Sequence, residues 1–151
     1  KKDILEELFA SFGGATVKEK LTSEQLRQKI DQPYEFFTAL VQGVISELED
    51  EREQKFVRLM LKEHTTEIMN KKEGKMIEEN IELLADILAE MMDRELIVDR
   101  DPLMLAHEFV GPVILLRLEY LQLNIGQGGL EKLAQLAKQH VDFFWQAVKK
   151  D

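Results

Sequence analysis

The sequence predicts an all-α domain of about six helices, and three observations carry that reading. Helix breakers are scarce, with 3 prolines and 8 glycines in 151 residues. Most of them separate long stretches rich in Leu, Glu, Lys, Ala and Met, which are strong helix formers. Within those stretches apolar residues recur at three- and four-residue steps, the period of one helix face. The length suits one domain with its own core and is short for two.

Taken in order, the segment from about Asp3 to Phe12 carries Ile4, Leu5, Leu8, Phe9 and Phe12 on one face, and Gly13-Gly14 ends it. A polar stretch follows from Ala15 to Gln32. Inside it Thr22 and Gln25 have capping-box spacing and predict a short helix through Ile30. Pro33 opens the next helix, to about Leu48, with Phe37, Leu40, Val41, Val44 and Leu48 as its stripe. Glu49-Asp50-Glu51 puts negative charge at the start of another helix, where the macrodipole favours it. That helix carries Phe56, Val57, Met60, Leu61, His64 and Ile68 to about Lys72, and Gly74 is expected to end it.

From Lys75 to Leu96 the amphipathic pattern is clearest. Ile77, Ile81, Leu84, Ala85, Leu88, Met91 and Met92 take one side, and Glu78, Glu79, Glu82, Asp86, Glu90 and Asp93 the other. Asp101 is a good N-cap and Pro102 fits the first helical position, so a new helix starts there and runs to about Asn124. It is apolar nearly all round and contains Gly111-Pro112, which predicts a kink. After the loop from Gly126 to Gly129, the final helix covers Leu130 to Lys149, with a stripe of Leu130, Leu133, Ala134, Ala137, Val141, Phe144, Trp145 and Val148 widened by Leu136 and Phe143. The last two helices together hold more apolar surface than a small monomer easily buries.

Charge and composition exclude several roles. Twenty basic residues against 29 acidic give a net charge of −9, and that field repels a polyanion unless positive charge is concentrated somewhere. The basic runs are short pairs such as Lys71-Lys72, without interleaved aromatics. With no cysteine there is no disulfide or thiolate zinc site, which fits a cytoplasmic protein. No apolar run reaches the ~20 residues of a membrane span, so no membrane partner is expected. Catalytic spacings are missing too. The three histidines, His64, His107 and His140, each stand alone in their helix, and none follows a Glu at three residues as a di-metal bundle requires. No enzyme activity and no cofactor is expected.

Three kinds of residue point beyond packing. Arg117 falls on the stripe Phe109, Val113, Arg117, Tyr120 of an apolar helix. An arginine drawn into a dry site needs an acidic partner, either a Glu of the chain or a ligand. His64 is on the core side of its helix, either as a hydrogen-bonded core residue or as a donor at a cavity wall. Several methionines and phenylalanines fit plain core packing or the lining of a pocket for variable greasy molecules.

This layout resembles the ligand-sensing part of TetR-type regulators. Lys1-Lys2-Asp3-Ile4-Leu5 is similar to the junction between their helix-turn-helix head and the long connecting helix. Asp99-Arg100-Asp101-Pro102, with Phe109 and Gly111 following, resembles their penultimate helix, and the final pair ending in Phe143-Phe144-Trp145 resembles their dimerisation pair. The chain starts at Lys1 within what already reads as a helix, so residues 1–12 are expected to connect to an N-terminal DNA-binding domain not included here.

The resemblance implies a homodimer built by a four-helix bundle, and a repressor released from DNA by a small hydrophobic or amphipathic effector. DNA contact would come through the missing head, with Lys1 and Lys2 at most touching phosphates. The effector pocket is expected among the core faces of five helices: Phe12; Phe37; Met60 and His64; Leu88; and Phe109, Val113, Arg117 and Tyr120. The surplus apolar surface of the last two helices predicts a dimer interface at Leu118, Leu133, Ala137, Val141 and Phe144. The alternative is a ligand-free helical interaction module, which a filled core would distinguish.

Overall fold

The computed structural model describes residues 19–47, 66–123 and 129–151, and these are helical throughout, apart from turns and one isolated bridge. A helical turn at 19–22 precedes α1 (Glu24–Arg27), followed by α2 (Pro33–Glu47), α3 (Thr66–Asp93), α4 (Pro102–Leu123) and α5 (Gly129–Val148). α3 packs on α4, α4 on α5, and α5 on α2, with α1 against α2. The all-helical class expected from the periodicity is the class found.

Local signals set most helix ends. At α1 the cap is Ser23, whose hydroxyl accepts from the Leu26 N–H at 3.2 Å. The capping box read at Thr22 is therefore displaced by one residue, and the Thr22 hydroxyl donates back to the Glu19 carbonyl instead. Pro33 is the first residue of α2, where its missing N–H costs nothing. Asp101 caps α4 through Oδ1, which accepts from the Leu103 N–H at 3.1 Å, and Pro102 follows as the first helical residue.

One expected boundary does not exist. α3 runs unbroken through Gly74, which was expected to end a helix. An interior glycine costs only about 1 kcal/mol relative to alanine, less than a long amphipathic face gains by packing. That face is buried from Ile81 to Met92, with Leu84, Ile87, Leu88 and Met91 at its centre. Its opposite side leaves Glu78, Glu82, Asp86 and Asp93 in water.

At its other end α3 stops by geometry rather than by glycine. The Leu96 N–H donates to the Met91 carbonyl and the Glu95 N–H to the Met92 carbonyl, both at 2.9 Å. This pair of bonds is the Schellman arrangement, which needs a left-handed residue between them. Glu95 supplies it at φ 60°, a conformation that crowds a Cβ. Beyond it Ile97 is fully buried, and the Val98 N–H donates to the Val148 carbonyl at 2.9 Å. The α3–α4 connection and the end of α5 are thereby tied together.

The core centre lies where α2, α4 and α5 meet. Phe37, Phe109 and Phe144 contact one another with ring centroids 5.0–5.2 Å apart. Phe36, which the expected α2 stripe omitted, is also fully buried and edges onto Phe37. On the surface, Arg94 reaches Asp31 at 2.7 Å and Glu90 at 2.8 Å, an exposed pairing of small energetic worth.

Glu95→Gly removes the left-handed strain while loosening the unfolded chain. The two effects together should raise stability by about 0.5–1 kcal/mol, read as a higher midpoint in urea denaturation.

Candidate functional site

The residues expected to line an effector pocket divide into three groups. Phe37, Leu88 and Phe109 belong to one buried core cluster, at 0 %, 0 % and 2 % exposure. Phe37 and Phe109 touch each other, and no side of either ring is left to water. Val113, Arg117 and Tyr120 are half-buried further along α4. Val113 packs against the main core, Tyr120 packs against Leu133 in a smaller cluster, and Arg117 already has an interaction partner within the chain. Phe12, Met60 and His64 lie outside the described residues, as do the Lys1 and Lys2 of the expected phosphate contact.

Four of the residues expected at a dimer interface lie in the interior of the single chain. Leu133, Ala137, Val141 and Phe144 are 5 % exposed or less within the single chain. Side chains already covered by their own protomer have no area left for a second copy. The longest apolar stripe of α5 serves α2 and α4 instead. Leu118 lies on α4 with its side chain outside the described set.

The surplus apolar surface sits on the other side of the same two helices. Among the described residues, the large hydrophobics that stay exposed are Leu103, Met104 and Leu115 on α4, and Leu136 and Phe143 on α5. Phe143 is 77 % exposed, and Met104 and Leu115 are each 57 % exposed.

Helix geometry groups most of these side chains into one strip on each helix. The two helices run antiparallel, because His140 meets Phe109 while Leu133, earlier in α5, meets Leu116 and Tyr120, later in α4. Phe143 is three residues past His140, about 4.5 Å along the axis, and so stands level with the first turns of α4. Leu136 stands level with the middle of α4, where Gly111 and Pro112 are exposed and a Cβ on Gly111 would meet nothing within 4 Å. Met104, Gly111 and Leu115 share a helix face by their seven- and four-residue spacing, and Leu136 and Phe143 do by theirs. The result is an exposed apolar strip on each helix, the two level along the axes, with Glu108, Glu119 and Lys132 also exposed on the same helices.

No family model, no curated protein and no solved structure matches the chain. The reading of this face therefore rests on its own chemistry. Among the described residues no three His, Asp or Glu side chains are grouped to hold a metal, and no helix is long and apolar enough to cross a membrane.

Two polar joints were not anticipated from the sequence. His140 is half-buried, with Nε2 2.8 Å from the Phe109 carbonyl. A carbonyl only accepts, so that nitrogen carries the hydrogen. The ring lies 5.3 Å from Phe109 and 6.4 Å from Phe144. At the start of α2, the Tyr34 hydroxyl donates to Asp142 Oδ1 at 2.6 Å, beside Trp145 at 6.2 Å. The hydrogen bond to Asp142, then burial, then the carboxylate's charge hold the Tyr34 phenol above its ordinary pKa of 10.0, against a smaller opposing effect of Thr38. The folded state thus keeps this proton more tightly than the unfolded state. The pair's contribution is present below pH 10 and is lost as pH rises through the raised value.

Asp142→Asn should bring the Tyr34 ionisation back toward its ordinary range. Alkaline titration of phenolate absorbance, with Tyr34→Phe as the reference, isolates that one group. Phe109→Ala should cost about 3–5 kcal/mol of stability, as expected for a ring packed on all sides, measured by denaturant unfolding.

Proposed function

We propose that this chain is the effector-sensing and pairing part of a TetR-type transcriptional regulator, and that two copies associate through Met104, Leu115, Leu136 and Phe143. The observation that carries this reading is where the exposed apolar side chains fall. Among the described residues they all lie on the last two helices, the pair that the family resemblance assigns to dimerisation. A phenylalanine exposed to 77 % gains about 1.5–3 kcal/mol when a partner covers it, and patches of this kind mark association surfaces. In this reading the associating surface is the outward side of the α4–α5 pair.

In this reading a small hydrophobic or amphipathic effector binds among the middle helices and favours one of two arrangements of the pair. It shifts the equilibrium by its differential affinity for them. Contact with the operator is made by an N-terminal helix-turn-helix domain joined through residues 1–12.

A second reading, a helical interaction module that takes no ligand, is favoured by one observation. Phe37, Leu88 and Phe109 are covered by protein rather than by open space. Native mass spectrometry stepped into denaturing conditions separates the two. Release of a small hydrophobic molecule on unfolding supports the sensor, and affinity for no hydrophobic ligand supports the module.

Phe143→Glu should weaken self-association by at least ~30-fold, the loss of a hot-spot side chain of about 2 kcal/mol or more. Sedimentation equilibrium measures the association. An unchanged helical circular dichroism spectrum is expected, because this side chain supports no core contact within the protomer.

A further inference from the structure

α2 carries a glycine, Gly43, in its interior. Glycine is a weak helix former, so its place there asks for a physical reason. The helical turn at 19–22 supplies one. A Cβ at residue 43 would stand 3.0 Å from both Cδ and Nζ of Lys20 and 3.3 Å from its Cε, tighter than side chains ordinarily approach. The space that a side chain would take is filled by the half-buried stem of Lys20.

The ammonium at the end of that stem donates to the Gly43 carbonyl. The same oxygen accepts from the Ser46 hydroxyl at 2.9 Å. It lies toward the C-terminal end of α2, where the helix dipole favours a cation, and α2 has no basic residue of its own in its last turn. The positive charge therefore arrives from another segment. The residue after Lys20 is Leu21, which is buried to 2 % exposure in the main core together with Leu40 and Val41 of α2. Successive residues of a helical turn point about 100° apart. Leu21 holds the turn in place, and a second contact at Lys20 sets its rotation.

We infer that Lys20 and Gly43 form a clasp, a lysine seated in a glycine notch, that sets the rotation of the 19–22 turn on α2. Lys20 is a positioning residue: it acts through the main chain of α2. Because the contact depends on one ammonium, loss of that charge loosens the turn alone and leaves the main core intact. The inference rests on neither the proposed pairing nor an effector.

Amide-resolved hydrogen exchange on the full chain tests it at Ser23, whose N–H donates to the Lys20 carbonyl at 3.1 Å. Lys20→Met keeps an unbranched stem and removes the ammonium. Exchange at Ser23 should quicken by roughly three- to tenfold, the worth of one partly exposed hydrogen bond, while amides of α5 around Phe144 stay within about twofold. Gly43→Ala fills the notch, and it should give the same local quickening although alanine is the better helix former. The double variant should exchange no faster at Ser23 than either single one, because both changes remove the same contact.

Full addition of the two effects would show independent sites and overturn the clasp. So would unchanged exchange at Ser23 in either variant, or equal quickening in α5, which marks general destabilisation. If Lys20→Met does not fold, Gly43→Ala decides alone by the same comparison of Ser23 with α5.

Discussion

Everything else in the described structure follows from three phenylalanine rings meeting at one point. Phe37, Phe109 and Phe144 each come from a different helix, with centroids 5.0–5.2 Å apart. Their contacts are tilted or edge-to-face, the geometries that aromatic pairs favour. The junction fixes the rotation of α2, α4 and α5 about their axes. Once Phe144 points inward, the period of α5 brings Leu133, Ala137, Val141 and Val148 inward with it. Phe143, one residue away and about 100° round the helix, is turned out into water.

That rotation links packing to function. α4 is apolar on almost every side, so no orientation can bury all of it in a protomer of this size. The core takes Ala106 and Phe109, and Met104 and Leu115 remain outside. The same constraint on two neighbouring helices leaves an exposed apolar strip on each. The strip is the cost of a helix that must be covered from several directions, and a second copy of the chain is the partner proposed to complete the cover.

Much of the fold was legible because its signals are local. Pro33, Asp101 and Pro102 mark helix starts by backbone chemistry that needs no tertiary partner. The α3 stripe from Ile81 to Met92 is one-sided enough to give its inner face from periodicity alone. Gly74 misled because a glycine's cost is small beside the packing of a 28-residue helix. The end of α3 at Glu95 was invisible as a cap, since a left-handed Glu is held by two backbone bonds and not by its own preference.

The candidate site was harder to read. In α5 the strongest stripe was assigned to a partner, whereas the protomer's own core takes it, and the weaker positions Leu136 and Phe143 face outward. Periodicity finds a face but does not say what covers it. His140 was seen only as an isolated histidine, because its hydrogen bond is made to a backbone carbonyl in another helix. Gln139 is exposed next to the apolar strip and Lys138 is exposed away from it, and the chain has no cysteine of its own. The most direct test of the account is pulsed dipolar electron spin resonance on single nitroxide labels attached through Gln139→Cys and, separately, Lys138→Cys. The account predicts that both labels give a defined distance between two protomers, shorter and narrower for the label beside the strip. No dipolar modulation from either label, or the shorter distance from Lys138, would contradict pairing through this face.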